Sequence, residues 1–246
     1  ATPRLVQGIG YFQTHVLIAV ICAVTAAISF FFLKDSPATV GREVTPLMPK
    51  IVQALKEKTT WQLCFLYPVV FGAFVAFSNY LPTYLSNIYG FNANDAGMRA
   101  AGFAVAAVIA RPFGGVLADK FGPKVITLIS LGGVVILAVI IAFQPDAEHV
   151  YGAVFILMAA LLGLGHGSVF GWVGRAADPK NVGAVSGVIA AAGALGGFFP
   201  PLVMGATYNQ AENNYFIGLM LLAVTAALAF LSAFLVPNGG KPNHAK

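Results

Sequence analysis

Seven stretches of the chain are apolar for about twenty residues each: 11–33, 61–85, 96–118, 125–143, 150–173, 182–206 and 215–236. At about 1.5 Å rise per residue, a helix of roughly that length crosses a hydrocarbon layer of ~30 Å. Inside that layer no water satisfies backbone amides, so only helices and closed barrels can span it. A barrel strand alternates polar and apolar residues over about ten positions, and these runs do not alternate. The expected fold class is all-α, a polytopic bundle of seven transmembrane helices. Composition agrees, because charged residues make up 9% of the 246, against about 25% in a soluble domain. A soluble enzyme, a disordered chain and a nucleic-acid-binding domain are thereby excluded as first readings.

Orientation follows from the cations between the runs. Lys34, Arg42, Lys50, Lys56, Lys58, Lys120, Lys124, Arg175, Lys180, Lys241 and Lys246 fall on one side, while Arg4 and Arg99 fall on the other. Eleven against two makes the first side cytoplasmic, with the chain start external and the C-terminus internal. The same asymmetry accounts for the basic net charge of +5 without any nucleic acid. The opening stretch has no cationic region before its apolar run and is not expected to be a signal peptide.

The expected organisation is one span (1–33), a cytoplasmic linker (34–60), a set of six spans (61–236) and a cytoplasmic tail (237–246). The linker carries Leu47, Met48, Ile51, Val52 and Leu55 at helical spacing beside Lys50, Lys56 and Lys58. That pattern suits either an amphipathic helix on the membrane surface or a solvated linker with a short helix. Cys22 and Cys64 lie in apolar surroundings without metal or disulfide spacing. Neither a cofactor nor a metal is expected, and nothing resembles a nucleophile elbow or an intramembrane acid–base pair, so no enzymatic chemistry is expected.

Every acidic residue (Asp35, Glu43, Glu57, Asp95, Asp119, Asp146, Glu148, Asp178 and Glu212) falls in a loop or at a helix edge. Of the cations, Arg111 alone lies deep in a run, about 12 Å inward of Asp119. A guanidinium in hydrocarbon costs at least a few kcal/mol and commonly marks a substrate path, the alternative being a structural Arg bonded to backbone carbonyls or snorkelling. Without a carboxylate the guanidinium invites an anion, and its planar fork suits a planar oxyanion. Tyr67 and Phe71, one helical turn apart at similar depth, are candidates for the wall of such a site, or else ordinary packing residues. His166 lies at comparable depth in the fifth run. A lone helical His is more often a satisfied core residue than a ligand, so both readings stand. Ser186 is a further candidate. The sixth run carries Gly183, Gly187, Gly193, Gly196 and Gly197, followed by Phe198-Phe199-Pro200-Pro201. Small residues let helix backbones approach closely, and the diproline is expected to break the helix. Such a helix could slide against a partner and offer backbone groups to a small ligand.

Two segments carry a family resemblance. Gly115-x-x-x-Asp119-Lys120-x-Gly122-x-Lys124 resembles the loop motif of the major facilitator superfamily. The run 183–201, with Gly165-x-Gly167-x-Val169-Phe170 before it, resembles the signature of the nitrate/nitrite porter family within that superfamily. The resemblance extends over 11–236. It implies twelve spans in two pseudo-symmetric halves, of which this chain holds the sixth to twelfth. It also implies that Arg111 is one of a pair of substrate-binding arginines, that Tyr67 and Phe71 contact substrate, and that the glycine run serves alternating access. His166 departs from the small polar residue, often Asn, that the family pattern places there.

The expected function is transport of nitrate and nitrite across the cell membrane by two rocking halves, with membrane lipids and the missing N-terminal half as partners. This chain alone is not expected to transport. The lack of a carboxylate within the spans favours nitrate/nitrite antiport over proton-coupled uptake, although His166 or the substrate offers protons a route. A facilitator porter for another small anion and a non-transporting membrane subunit are the competing readings.

Overall fold

The computed structural model describes residues 2–33, 46–178 and 180–238, leaving the side chains of residues 2–4 and Leu47 undescribed. Lys34, Arg42, Asp35, Glu43, Lys241 and Lys246, most of the linker and most of the tail lie outside the described residues. The helices are α1 (Thr2–Ile9), α2 (Tyr11–Phe32), α3 (Leu47–Lys56), α4 (Lys58–Tyr67), α5 (Ala73–Tyr89), α6 (Ala93–Phe121), α7 (Pro123–Ala142), α8 (Glu148–Ala176), α9 (Val182–Gly196), α10 (Phe199–Ala206) and α11 (Phe216–Ala233). Seven spans are long and apolar enough to cross a membrane: α2, Lys58–Tyr89, α6, α7, α8, Val182–Ala206 and α11. The fold class is as expected, with α1 an additional short helix that the hydropathy pattern did not show.

The chain turns between spans for identifiable reasons. Gly122, in the loop motif, ends α6 at φ +97° and bonds back to the Ala118 carbonyl at 2.9 Å. Pro123 then opens α7, a first-turn position where its missing N–H is not needed. One glycine thus reverses the chain between two long spans, using a backbone conformation that other residues rarely adopt. Gly90 closes α5 in the same way, at φ +69°.

Helix α8 is the axis of the six-span set, packed between α6 and α7, with α7 also against α11. The approach of α6 to α8 is backbone to backbone. A Cβ on Gly114 would stand 2.2 Å from the Leu164 carbonyl oxygen, and one on Gly163 2.3 Å from that of Ala107. A Cβ on Gly167 would meet the Arg111 carbonyl oxygen at 2.1 Å. Because lipid tails are as apolar as leucine, such close van der Waals contact is what holds spans together. Between α7 and α8 the Thr127 and Ser168 hydroxyls bond at 2.8 Å, and Ser130 donates to the Leu161 carbonyl at 2.6 Å.

The end of the bundle opposite the basic loops is rich in tyrosine. Tyr80 donates to the Tyr215 hydroxyl at 3.2 Å, Asn87 donates to it at 2.7 Å, and Tyr89 stacks on Tyr151 with centroids 3.9 Å apart. Helix α3 packs on α9 and α4 with Ala54 buried against them. Helix α2 differs from the rest, since none of its most apolar window is buried.

Candidate anion site

The span Lys58–Tyr89 is not a uniform helix. Pro68 has no N–H to give the preceding turn, and residues Pro68–Gly72 widen into a π-helical turn, a common solution to a proline inside a helix and frequent at functional sites. Its effect is local: Tyr67 and Phe71 lie with rings nearly parallel, 8° apart in plane and 5.2 Å between centroids. Helix α9 presses on this turn through its glycines. A Cβ on Gly193 would lie 2.3 Å from the Tyr67 ring, and one on Gly196 2.5 Å from Pro68. The Gly72 and Gly196 backbones meet, and Gly197 faces Val75. The glycine run and the aromatic pair, 120 residues apart in sequence, therefore form one contact.

Arg111 reaches this wall from α6. Its guanidinium carbon stands 4.5 Å from the Phe74 ring centroid and 5.8 Å from that of Phe71. Among the described residues no side chain or carbonyl hydrogen-bonds the guanidinium, and its Nε is buried without a partner. No carboxylate pairs with it, for the described ion pairs are Arg99–Glu148 and Arg175–Asp119 at the helix ends. A cation over an aromatic face gains about 0.5–1 kcal/mol when exposed and about 2 kcal/mol or somewhat more when desolvated, while fully desolvating an ion costs several. The rings alone do not offset the cost, and the balance is open to an anion.

His166 completes the group. Its ring lies 5.2 Å from both Tyr67 and Phe71 and 5.7 Å from Phe170, which is also edge-on to Tyr67. The sequence left Phe74 and Phe170 unassigned, although each lies three or four residues from a candidate (Phe71, His166), the helical spacing that could have found them.

The other candidates divide. Gly183 and Gly187 meet nothing within 4 Å of an added Cβ, and Ser186 is half-buried with no described hydrogen bond. The sixth run breaks just upstream of the prolines, as expected, because a proline lacks the N–H that would bond the preceding turn and its ring clashes with the carbonyl four residues back. The break falls at Gly197–Phe198, and Pro200 and Pro201 occupy the first turn of α10, where proline is tolerated. In the loop motif, Asp119 accepts from Arg175 at 3.1 Å through its side chain and again through its carbonyl. Lys124 donates to the carbonyls of Phe234 at 2.7 Å and Val236 at 3.1 Å, Lys120 lies over the Phe121 ring, and the Gly115 amide lies beside Gly167. The motif thus ties the ends of four spans, α6, α7, α8 and α11, together, away from Arg111. A cavity of about 290 Å³ between α5, α10 and α11 is apolar, and none of Arg111, Tyr67, Phe71 and His166 lines it.

The chain is 50% identical over 228 residues to "Probable nitrate/nitrite transporter NarK2" of Mycobacterium tuberculosis, covering 93% of this chain and 58% of that protein. It is 34% identical to "Nitrite extrusion protein" of Bacillus subtilis, over 94% of this chain and 57% of that protein. The chain therefore spans little more than half the length of these relatives. In architecture it is similar to the crystal structure of the transporter FucP in the outward conformation, at a TM-score of 0.67, 19% identity and 92% of this chain against 54% of that one. The family model described as Major Facilitator Superfamily matches residues 2–201 and again 93–245, and the chain belongs to that superfamily as a multi-pass membrane protein.

Proposed function

We propose that this chain is the C-terminal part of a secondary transporter that moves nitrate and nitrite by alternating access. In this reading α2 is the last span of an N-terminal half, and α4 to α11 form the C-terminal half. The observation that carries the proposal is Arg111: a cation within a span, bedded on Phe71 and Phe74, with no protein carboxylate among the described residues to neutralise it. A flat triatomic or tetratomic oxyanion can accept two parallel N–H bonds from its fork, while the rings limit the size of what enters. Relatives named for nitrate and nitrite transport support the choice of anion. The Gly193–Tyr67 and Gly196–Gly72 contacts give a route by which movement of α9 reaches the site.

The second cation would come from the other half, so transport belongs to the full-length protein. Reconstituted in liposomes loaded with nitrite, that protein is expected to take up external nitrate in exchange. Equal inhibition by chloride or formate would reassign the site to small anions in general, and the absence of any anion flux would remove the transport reading.

A further inference from the structure

His166 is placed as no ordinary core histidine is. A buried imidazole normally commits one ring nitrogen to a close carbonyl or hydroxyl. Here the Tyr67 hydroxyl stands 3.4 Å from Nδ1 and 3.4 Å from Nε2 alike, so it faces the ring edge between them. Contacts of that length bind neither nitrogen firmly, and Tyr67 is the ring's sole polar partner among the described residues. The remaining neighbours are the faces and edges of Phe71, Phe170 and Tyr67.

The titratable and charged surroundings are few. Helix α4 contributes Tyr67, and α6 contributes Arg111, which lies within electrostatic reach of the ring. The π-helical turn, α9 and the buried length of α7 contribute neither a charge nor a titratable side chain. Among the described residues no carboxylate faces the ring, because Asp95, Asp119 and Glu148 are at the ends of α6 and α8. Two groups with free N–H capacity, one permanently cationic and one titratable, thus share the wall formed by Phe71, and an anion is needed to offset the repulsion between their like charges.

Resting on the proposed transport function, we infer that His166 is the proton carrier of the anion site, taking up one proton from water with each anion and releasing both on the opposite side. An anion bonded to Arg111 supplies the counter-charge that an imidazolium otherwise lacks among these rings. The added N–H gives the anion a third charge-assisted bond. By linkage the two events favour each other equally: anion affinity rises as pH falls, by up to tenfold per unit over the range in which His166 titrates. Net nitrate entry then carries a proton and is driven by an acidic exterior, whereas exchange of one protonated anion for another moves no net proton.

The test uses the full-length protein in liposomes that enclose a pH-sensitive dye and no nitrate or nitrite. Added nitrate with an acidic exterior is expected to enter together with protons, acidifying the interior, several-fold faster than at equal pH. His166→Asn and His166→Gln are expected to keep the wild-type melting temperature in detergent, which shows that they are folded, and to lose both the acid stimulation and the proton influx. Wild-type protein that exchanges the two anions in nitrite-loaded liposomes, yet lets nitrate into anion-free liposomes without proton influx or acid stimulation, overturns the inference and leaves the transport reading intact. So does a His166 variant that keeps the wild-type pH profile. Wild-type protein that carries neither anion overturns the transport reading, and this inference with it.

Discussion

At the scale of single residues, the balance at Arg111 sets what a substitution does. Arg111→Lys keeps the charge but replaces a planar fork with a compact ammonium. Losing one charge-assisted hydrogen bond, worth about 1.5–3 kcal/mol, should weaken nitrate binding roughly tenfold to a hundredfold. Half-saturation of nitrate uptake by the full-length protein measures it, and unchanged uptake would take Arg111 out of the site. Gly193 is a more local probe. A methyl there would stand 2.3 Å from the Tyr67 ring and 3.0 Å from that of Phe71, and these rings are backed by Phe170 and His166. Overpacking of that kind costs about 1–3 kcal/mol. Gly193→Ala is therefore expected to lower both the melting temperature and the anion affinity, whereas a purely structural glycine would lower only the first.

At the scale of helices, the glycines separate into two kinds that composition could not tell apart. Gly167→Ala would drive a Cβ to 2.1 Å from the Arg111 carbonyl. Backbone atoms cannot swing aside as a side chain can, so α6 and α8 must part, and folded yield and thermal stability in detergent should fall sharply. Gly183→Ala and Gly187→Ala meet open space within this chain and remove a poor helix former, so stability should hold or rise by up to about 1 kcal/mol. Any loss of transport in those two then reports contact with the other half of the protein, and a loss of folding would mean the open face is misjudged. The spacing Gly-x-x-x-Gly is identical at 183/187 and 193/197, which is why the sequence could not distinguish them. The seven spans were legible because hydrocarbon thickness imposes one length on every helix. The depth of Arg111 was legible because a charge stands out inside an apolar run. The π-helical turn at Pro68 and the unusual setting of His166 were not, since both depend on which helices meet: the ring's neighbours come from α4, the turn after it and α6, as far as 99 residues away.

At the scale of the whole molecule, the chain is an asymmetric object in the plane of the membrane and across it. In the plane, the six-span set buries much of its helices, while α2 leaves Leu17, Val20, Val24 and Ile28 uncovered, the side chains that the proposed N-terminal half would cover. Across the membrane, Lys120, Lys124 and Arg175 gather at one end, where two of them bind Phe234, Val236 and Asp119. The tyrosine cluster of Tyr80, Tyr89, Tyr151 and Tyr215 gathers at the other. Cations are retained on the cytoplasmic side because they resist translocation, so the lysine end should face the cytoplasm and the tyrosine end the exterior. A membrane-impermeant maleimide on intact cells tests this in the full-length protein. Asn94→Cys, at the start of α6, should label from outside. Lys120→Cys, at its other end, should label only after the cells are permeabilised. The reverse pattern would invert the chain and place the α3 surface outside. It would leave Arg111 at the same depth, because its position 17 residues from Asn94 and nine from Lys120 depends on the helix and not on the direction in which it was inserted.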